Sequence, residues 1–228
     1  MLYDERAVRD NLRNRDGKRV FYLGTGDQLN SAARDYLTRE RIEILPASQA
    51  RPRRYRLPGG GWTEEKPEHM THLHGDLLVP KNHPRIVFRG KLDTLESELL
   101  IAQLTATSVS EKLGQVLEMA RKLIRWDVLE EPVSEDTICV LTEAEIRKIS
   151  HFPGDVYGIP HFMPQASDGM ALARVNRARC AAREAELAAV SAFSDRDGQL
   201  LRPDLVRMLN RMSSMLYILM IEMKAGTL

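Results

Sequence analysis

The sequence predicts a mainly α protein: a helical bundle of about five helices with a small α/β appendage at its N-terminus. Three observations carry that expectation. Four stretches repeat apolar residues at helical spacing: Leu92, Leu95, Leu99 and Ala102; Leu113, Val116, Leu117, Ala120, Leu123 and Ile124; Leu172, Val175 and Val190; and Leu205, Leu209, Met212, Leu216, Leu219 and Met223. A fifth, shorter helix, reaching about His151, is announced by the capping box Thr142-x-x-Glu145. Residues 19–45 instead read strand, helix, strand (RVFYL, Leu29–Arg39, IEIL).

A chain of 228 residues can bury a real core in one large domain plus a small appendage. The expected division is an N-terminal unit over 1–47, a linker over 48–67 and the bundle over 68–228. Lysine and arginine (33) balance aspartate and glutamate (32), which excludes a general electrostatic role on nucleic acid or a membrane surface. Cys139 and Cys180 offer neither a disulfide framework nor a CxxC knuckle. The first residues, MLYDERAVRD, lack an apolar signal core, and the longest apolar run, Met215 to Ile221, is far short of the roughly 20 residues of a membrane span. A cytoplasmic protein is expected.

Taken in order, Gly24-Thr25-Gly26-Asp27 has half of a dinucleotide fingerprint but lacks its third glycine and distant acid, and reads as a plain turn. Ser48 to Pro67, with Gly59, Gly60 and Gly61 in a row, shows no periodicity; it is a linker or a loop that closes over a ligand. His69, His72 and His74, with His83 further on, match no standard zinc spacing. In the same expected loop, Thr71 with Gly75-Asp76 offers donors beside a glycine that lets a phosphate approach. Ile86–Phe88 reads as a short strand before a helix from Lys91, which places Asp93 in a first turn where it complements the dipole. Ser108-x-x-Glu111 is a second capping box, opening a helix that ends before Pro132. His151–Ser167 is irregular and delivers His161 and Phe162 to the next helix. The last helix has Pro203 in its first turn and Gly226 beyond its end.

The helix over 170–193 carries Asn176, Arg179, Arg183 and Glu186 on nearly one face. Arg179 and Arg183 stand one turn apart, where like charges repel. A shared anion turns that repulsion into a binding site, since a guanidinium donates two parallel hydrogen bonds to phosphate. The alternative is a solvated face on which Glu186 pairs with Arg183.

Three segments together resemble one family. Lys81 to Glu96 is similar to the K-x-x-P-R-(x4)-G-x-x-D-x-L segment of ATP:corrinoid adenosyltransferases of the propanediol-utilisation (PduO) type. Arg179-x3-Arg183-x2-Glu186 resembles their R-x3-R-x2-E, and Leu209-Asn210-Arg211-Met212-Ser213 their L-N-R-L-S. KPEHMTHL and RPDLVRMLNRMSS look like the ethanolamine-utilisation (EutT) branch.

The resemblance implies an up-and-down bundle and an enzyme that transfers the 5′-deoxyadenosyl group of ATP to cob(I)alamin, releasing triphosphate and forming adenosylcobalamin. It implies MgATP and cob(II)alamin as the bound species, the lower axial ligand of cobalt being removed before reduction to Co(I). By position, Arg179, Arg183 and Asp93 are the implied catalytic set, with Asp93 pairing Arg179 across a subunit boundary. Thr71, His72 and Lys81 would lie along the phosphates, Glu186 behind them, and Asn210 near nucleotide or corrin. His161 or Phe162, with Tyr217 nearby, would lie under the corrin. A homo-oligomer with an interfacial site (a trimer, or a dimer), a flavin reductase, an adenosylcobalamin-dependent lyase and association with a bacterial microcompartment are implied as partners and place.

This chain departs from the family pattern in three respects. The glycine-rich nucleotide loop is reduced to Thr71–Asp76, Glu184 replaces the second arginine of an R-R pair, and 51–65 holds no cysteine, so no metal held by protein side chains is expected. The alternative function is a non-catalytic adenosylcobalamin carrier or sensor on the same bundle; a purely structural protein would leave the two arginines without a purpose.

Overall fold

The computed structural model describes residues 1–15, 17–50 and 54–226. Its contacts divide the chain into Met1–Arg54 and Tyr55–Leu228.

In the first unit, β1 (Leu2–Tyr3), α1 (Glu5–Asp10), β2 (Arg13–Arg15), β3 (Lys18–Leu23), β4 (Gln28–Leu29), α2 (Ser31–Arg39) and β5 (Glu43–Pro46) follow in order. β3 pairs antiparallel with β2 and parallel with β5, so β3–α2–β5 is the expected strand–helix–strand crossover. Val8, Phe21, Ala33, Tyr36 and Leu37 make its core. α2 starts two residues later than expected because Asn30 caps it, accepting from the Ala33 N–H, while Leu29 pairs with β1. In the glycine turn, Asp27 accepts from the Gly24 N–H at 3.1 Å, which occupies an amide that a phosphate would otherwise use.

The second unit opens with a four-stranded sheet of β6 (Tyr55–Arg56), β7 (Trp62–Thr63), β8 (Met70–His74) and β9 (Leu77–Pro80), in the order β7-β6-β9-β8. The glycines expected in a linker or mobile loop make the β6–β7 turn: Gly60 and Gly61 have φ of 88° and 84°, a conformation open to glycine. Residues 51–53 of the same stretch lie outside the described residues. The loop expected over 68–76 is instead mostly β8, turning at Gly75-Asp76 into β9.

The bundle follows: α3 (Pro84–Thr105), α4 (Ser110–Leu129), the hairpin β10 (Thr137–Ile138) and β11 (Leu141–Thr142), α5 (Glu143–His151), α6 (Pro153–Tyr157), α7 (Gly169–Phe193) and α8 (Pro203–Ala225). Four expectations need correction. Ile86–Phe88 is not a strand; Pro84 at the first helical position and His83 Nδ1, accepting from the Arg85 N–H, start α3 there. Asp93 therefore lies more than two turns inside α3, beyond reach of the N-terminal dipole. Ser108 sits within a 3-10 turn (Thr107–Val109), so its capping box does not form and α4 starts at Ser110. By contrast, the Thr142–Glu145 box forms both of its hydrogen bonds. The stretch expected to be irregular, 151–167, contains α6.

Cross-helix pairs fix the helix directions. Glu96–Arg121 and Asp127–Arg85 make α3 and α4 antiparallel; Lys91–Glu184 and Glu98–Arg177 do the same for α3 and α7. Glu186–Asn210 sets α7 against α8, while Glu143–Arg207 and the His151–His161–Tyr217 contacts run α5 parallel to α8. Hence α3, α4, α5, α7 and α8 alternate, an up-and-down bundle. Ala178, Ala181, Ala182, Ala185 and Ala189 are all buried on α7, and their small side chains let its neighbours approach closely. Among the described residues no helix is long and apolar enough to cross a membrane.

Candidate active site

A cavity of about 430 Å³ opens beside the middle of α7 and α8. Its walls bring together Arg179 and Arg183 with His161, Phe162, Ser213 and Tyr217. Arg179 is half-buried and its Nε donates to Asn176 Oδ1 at 3.0 Å. Arg183 is exposed and, among the described residues, makes no hydrogen bond or ion pair. The pairing of Arg183 with Glu186 that a solvated face would give is absent: Glu186 accepts from Asn210 Nδ2 at 3.0 Å. Two guanidinium groups thus face one cavity, and among the described residues no carboxylate neutralises them.

The neighbouring acid is spent elsewhere. Glu184 joins Lys91 at 2.9 Å and Arg177 at 3.0 Å, and the hydrogen bond from Lys91, then that from Arg177, holds its carboxyl below the usual range. Asp93 is exposed, and its carboxylate has no partner among the described residues. It does not line the cavity, nor do Thr71, His72, Lys81, Glu186 and Asn210. Thr71 and His72 lie on β8, His72 edge-on to Tyr55; Lys81 follows β9 and pairs with Glu68 at 3.3 Å. Of the residues picked out from the sequence, the cavity therefore gathers Arg179, Arg183, His161, Phe162 and Tyr217.

The aromatic side of the cavity is held from α8. Tyr217 Oη is 3.1 Å from His161 Nδ1 and accepts from the Phe162 N–H at 3.2 Å. His161 Nε2 lies 3.0 Å from the His151 carbonyl. Lys224 Nζ sits 4.5 Å from the Phe162 ring centre and pairs with Asp168 at 2.8 Å. The sequence reading missed Lys224 and Asp168, for nothing local marks a contact 56 residues long.

It also missed a buried ionic cluster. Asp127, with no exposed surface, accepts from Arg85 Nε at 2.9 Å and Arg89 Nε at 2.6 Å, and Arg85 reaches Glu130 at 3.0 Å. The two arginines, after burial itself, also keep the nearby His83 imidazole below its ordinary pKa. A signal existed: Asp127 falls on the apolar stripe of α4, four residues after Leu123, where a charge demands partners.

A helical bundle with a guanidinium pair facing one cavity has the means to hold an anion, and comparison with known proteins gives its family. The model of the cobalamin adenosyltransferase family matches residues 62–223, and the chain belongs to that family. It is 34% identical over 158 residues to the corrinoid adenosyltransferase EutT of Salmonella typhimurium, and 32% identical over 158 residues to EutT of Escherichia coli K12. Each match covers 69% of this chain and 59% of the relative, so the chain spans little more than half the length of these curated proteins.

Proposed function

We propose that this chain is an ATP:cob(I)alamin adenosyltransferase of the ethanolamine-utilisation type. The observation that carries the reading is the pair Arg179 and Arg183 at one cavity that Phe162 and Tyr217 also line and whose described lining holds no carboxylate. The reaction it suits is a displacement. The Co(I) electron pair forms a Co–C bond to C5′ of ATP, the C5′–O bond breaks, and its pair leaves on triphosphate. Negative charge grows on the departing oxygen, and positioned guanidiniums stabilise it. Alignment of cobalt with C5′ supplies much of the remainder.

In this reading Arg179 and Arg183 grip the triphosphate, and Thr71, His72 and Lys81 extend the phosphate row. Glu186 orients Asn210 through their 3.0 Å hydrogen bond, toward nucleotide or corrin. The exposed, unpartnered Asp93 suits pairing with Arg179 of a second copy, which supports a homo-oligomer with interfacial sites, a trimer being the closest parallel. No group of three His, Cys, Asp or Glu side chains that could hold a metal ion occurs among the described residues. Mg²⁺ would instead arrive on the phosphates, its usual manner of binding, and neutralise part of their charge. A flavin reductase would supply the electron for Co(II) to Co(I), and a lyase in the cytoplasm or a microcompartment would use the product.

The test is direct. Supplied with MgATP and chemically reduced cobalamin, the protein should yield a light-sensitive Co–C product and triphosphate in equal amounts. Binding of both substrates without that product would leave a carrier.

A further inference from the structure

We propose that Glu222 and Lys224, in the last turn of α8, are positioning residues that fasten the two ends of the segment 158–168 and so fix one wall of the cavity before the corrinoid arrives; this rests on the corrinoid reading of the cavity. Four consecutive residues of that segment, His161 to Pro164, line the cavity. No helix or strand holds the segment before the 3-10 turn at Ala166–Asp168, so its place depends on what ties it down. Glycines in the left-handed region mark its boundaries: Gly158, with φ of 66°, closes α6, and Gly169, with φ of 85°, opens α7.

The first fastening lies just before the segment. Glu222 is buried, and its Oε1 accepts from the Tyr157 hydroxyl at 2.9 Å. Lys112 Nζ, on α4, donates to both Glu222 oxygens at 2.8 and 2.7 Å, so the carboxylate is paired where it is buried. Burial, and then the bond to Glu222, pushes the Tyr157 hydroxyl up to about 12, which keeps it a donor at any working pH. The second fastening lies at the far end. Lys224 Nζ donates to Asp168 Oδ1 at 2.8 Å, and Asp168 Oδ2 accepts from the Gln165 N–H at 2.8 Å. Residues two apart on a helix do not share a face, so a single turn of α8 reaches both ends. A segment held at both ends has already lost conformational freedom that a ligand would otherwise have to remove. Arg179 and Arg183 stand on α7 itself, outside the segment, so the grip on triphosphate is independent of either fastening.

Two variants each undo one fastening. Tyr157→Phe removes a hydroxyl and leaves the Lys112–Glu222 pair in place; Lys224→Met removes the cation and keeps the stem. In each, KM for cob(I)alamin should rise about 3- to 10-fold, while KM for ATP and the rise in melting temperature given by inorganic triphosphate stay as in wild type. Lys224→Arg, which keeps the ion pair, should return KM for cob(I)alamin to within about 2-fold of wild type. Hydrogen exchange in the ligand-free protein reads the fastenings without any corrinoid: amides of 158–168 should exchange faster in both variants, and those of α7 should keep their protection. An unchanged KM for cob(I)alamin would overturn the proposal, as would an equal rise in KM for ATP or unaltered exchange in the segment. A wild-type protein that forms no Co–C product, while exchange in the variants behaves as expected, would overturn the corrinoid reading and this role with it but leave the fastenings standing, so the two failures are distinct.

Discussion

Two pairs of arginines in this molecule share one spacing and have opposite fates. Arg85 and Arg89 are one turn apart on α3; Arg179 and Arg183 are one turn apart on α7. The first pair closes on Asp127, with side chains only 15% and 16% exposed. The second finds no acid among the described residues: Arg179 meets an amide, and Arg183 has no partner there. What separates a structural lattice from a candidate anion clamp is the residue opposite, which spacing on one helix does not specify. Charge on α7 is left over by design of its surroundings, since Glu184 turns to Lys91 and Arg177 and Glu186 to Asn210.

Breaking each pair should therefore have different consequences. Asp127→Ala strands two buried guanidiniums, and stability in urea should drop by about 3–5 kcal/mol. Arg183→Ala should do the reverse: unfolding free energy within about 0.5 kcal/mol of wild type, but kcat lower by about 10²–10³-fold. Inorganic triphosphate should raise the melting temperature of the wild type and not that of Arg183→Ala, because only a ligand that binds the folded state stabilises it. An Arg183→Ala protein that melts early but turns over normally would invert the assignment of the two pairs.

The smallest effect sharpens the same contrast. The hydrogen bond from Arg85 holds the Glu130 carboxyl below its ordinary value of 4.5. A carboxyl with a depressed folded pKa stabilises the protein above its unfolded pKa, and that contribution is lost as pH falls through the folded value. Glu130 is 55% exposed, so solvent screening leaves it under about 1 kcal/mol. Glu130→Gln should lower the urea midpoint slightly at pH 6, and the difference should fade below about pH 4.5. Removing Arg183 should produce no such acid-dependent difference.

Much of the bundle was legible because helices write their period into the chain. The stripes of α4, α7 and α8 and the Thr142 cap gave elements within a residue or two of their observed ends. The onset of α3 was hidden because Ile86, Val87 and Phe88 favour strands and Gly90 reads as a break, although Pro84 marked the start. Gly90 lies within the helix, and a methyl group there would touch nothing within 4 Å, so glycine is not demanded by packing. Ser108 failed as a cap because the chain tightened into a 3-10 turn first. Of the site, the two arginines could be read from one helix face. The bond from Tyr217 to His161 and Phe162 could not, for it joins residues 55 and 56 positions apart.

The tether on Arg179 has an electrical consequence. Asn176 steers the guanidinium through a neutral oxygen, fixing its direction while leaving its full positive charge unspent. Had an aspartate stood there, the same geometry would have come at the cost of discharging the cation. As built, α7 aims its arginine with a dipole and keeps the monopole for an anion from outside this copy of the chain, be it triphosphate or the Asp93 carboxylate of a second copy.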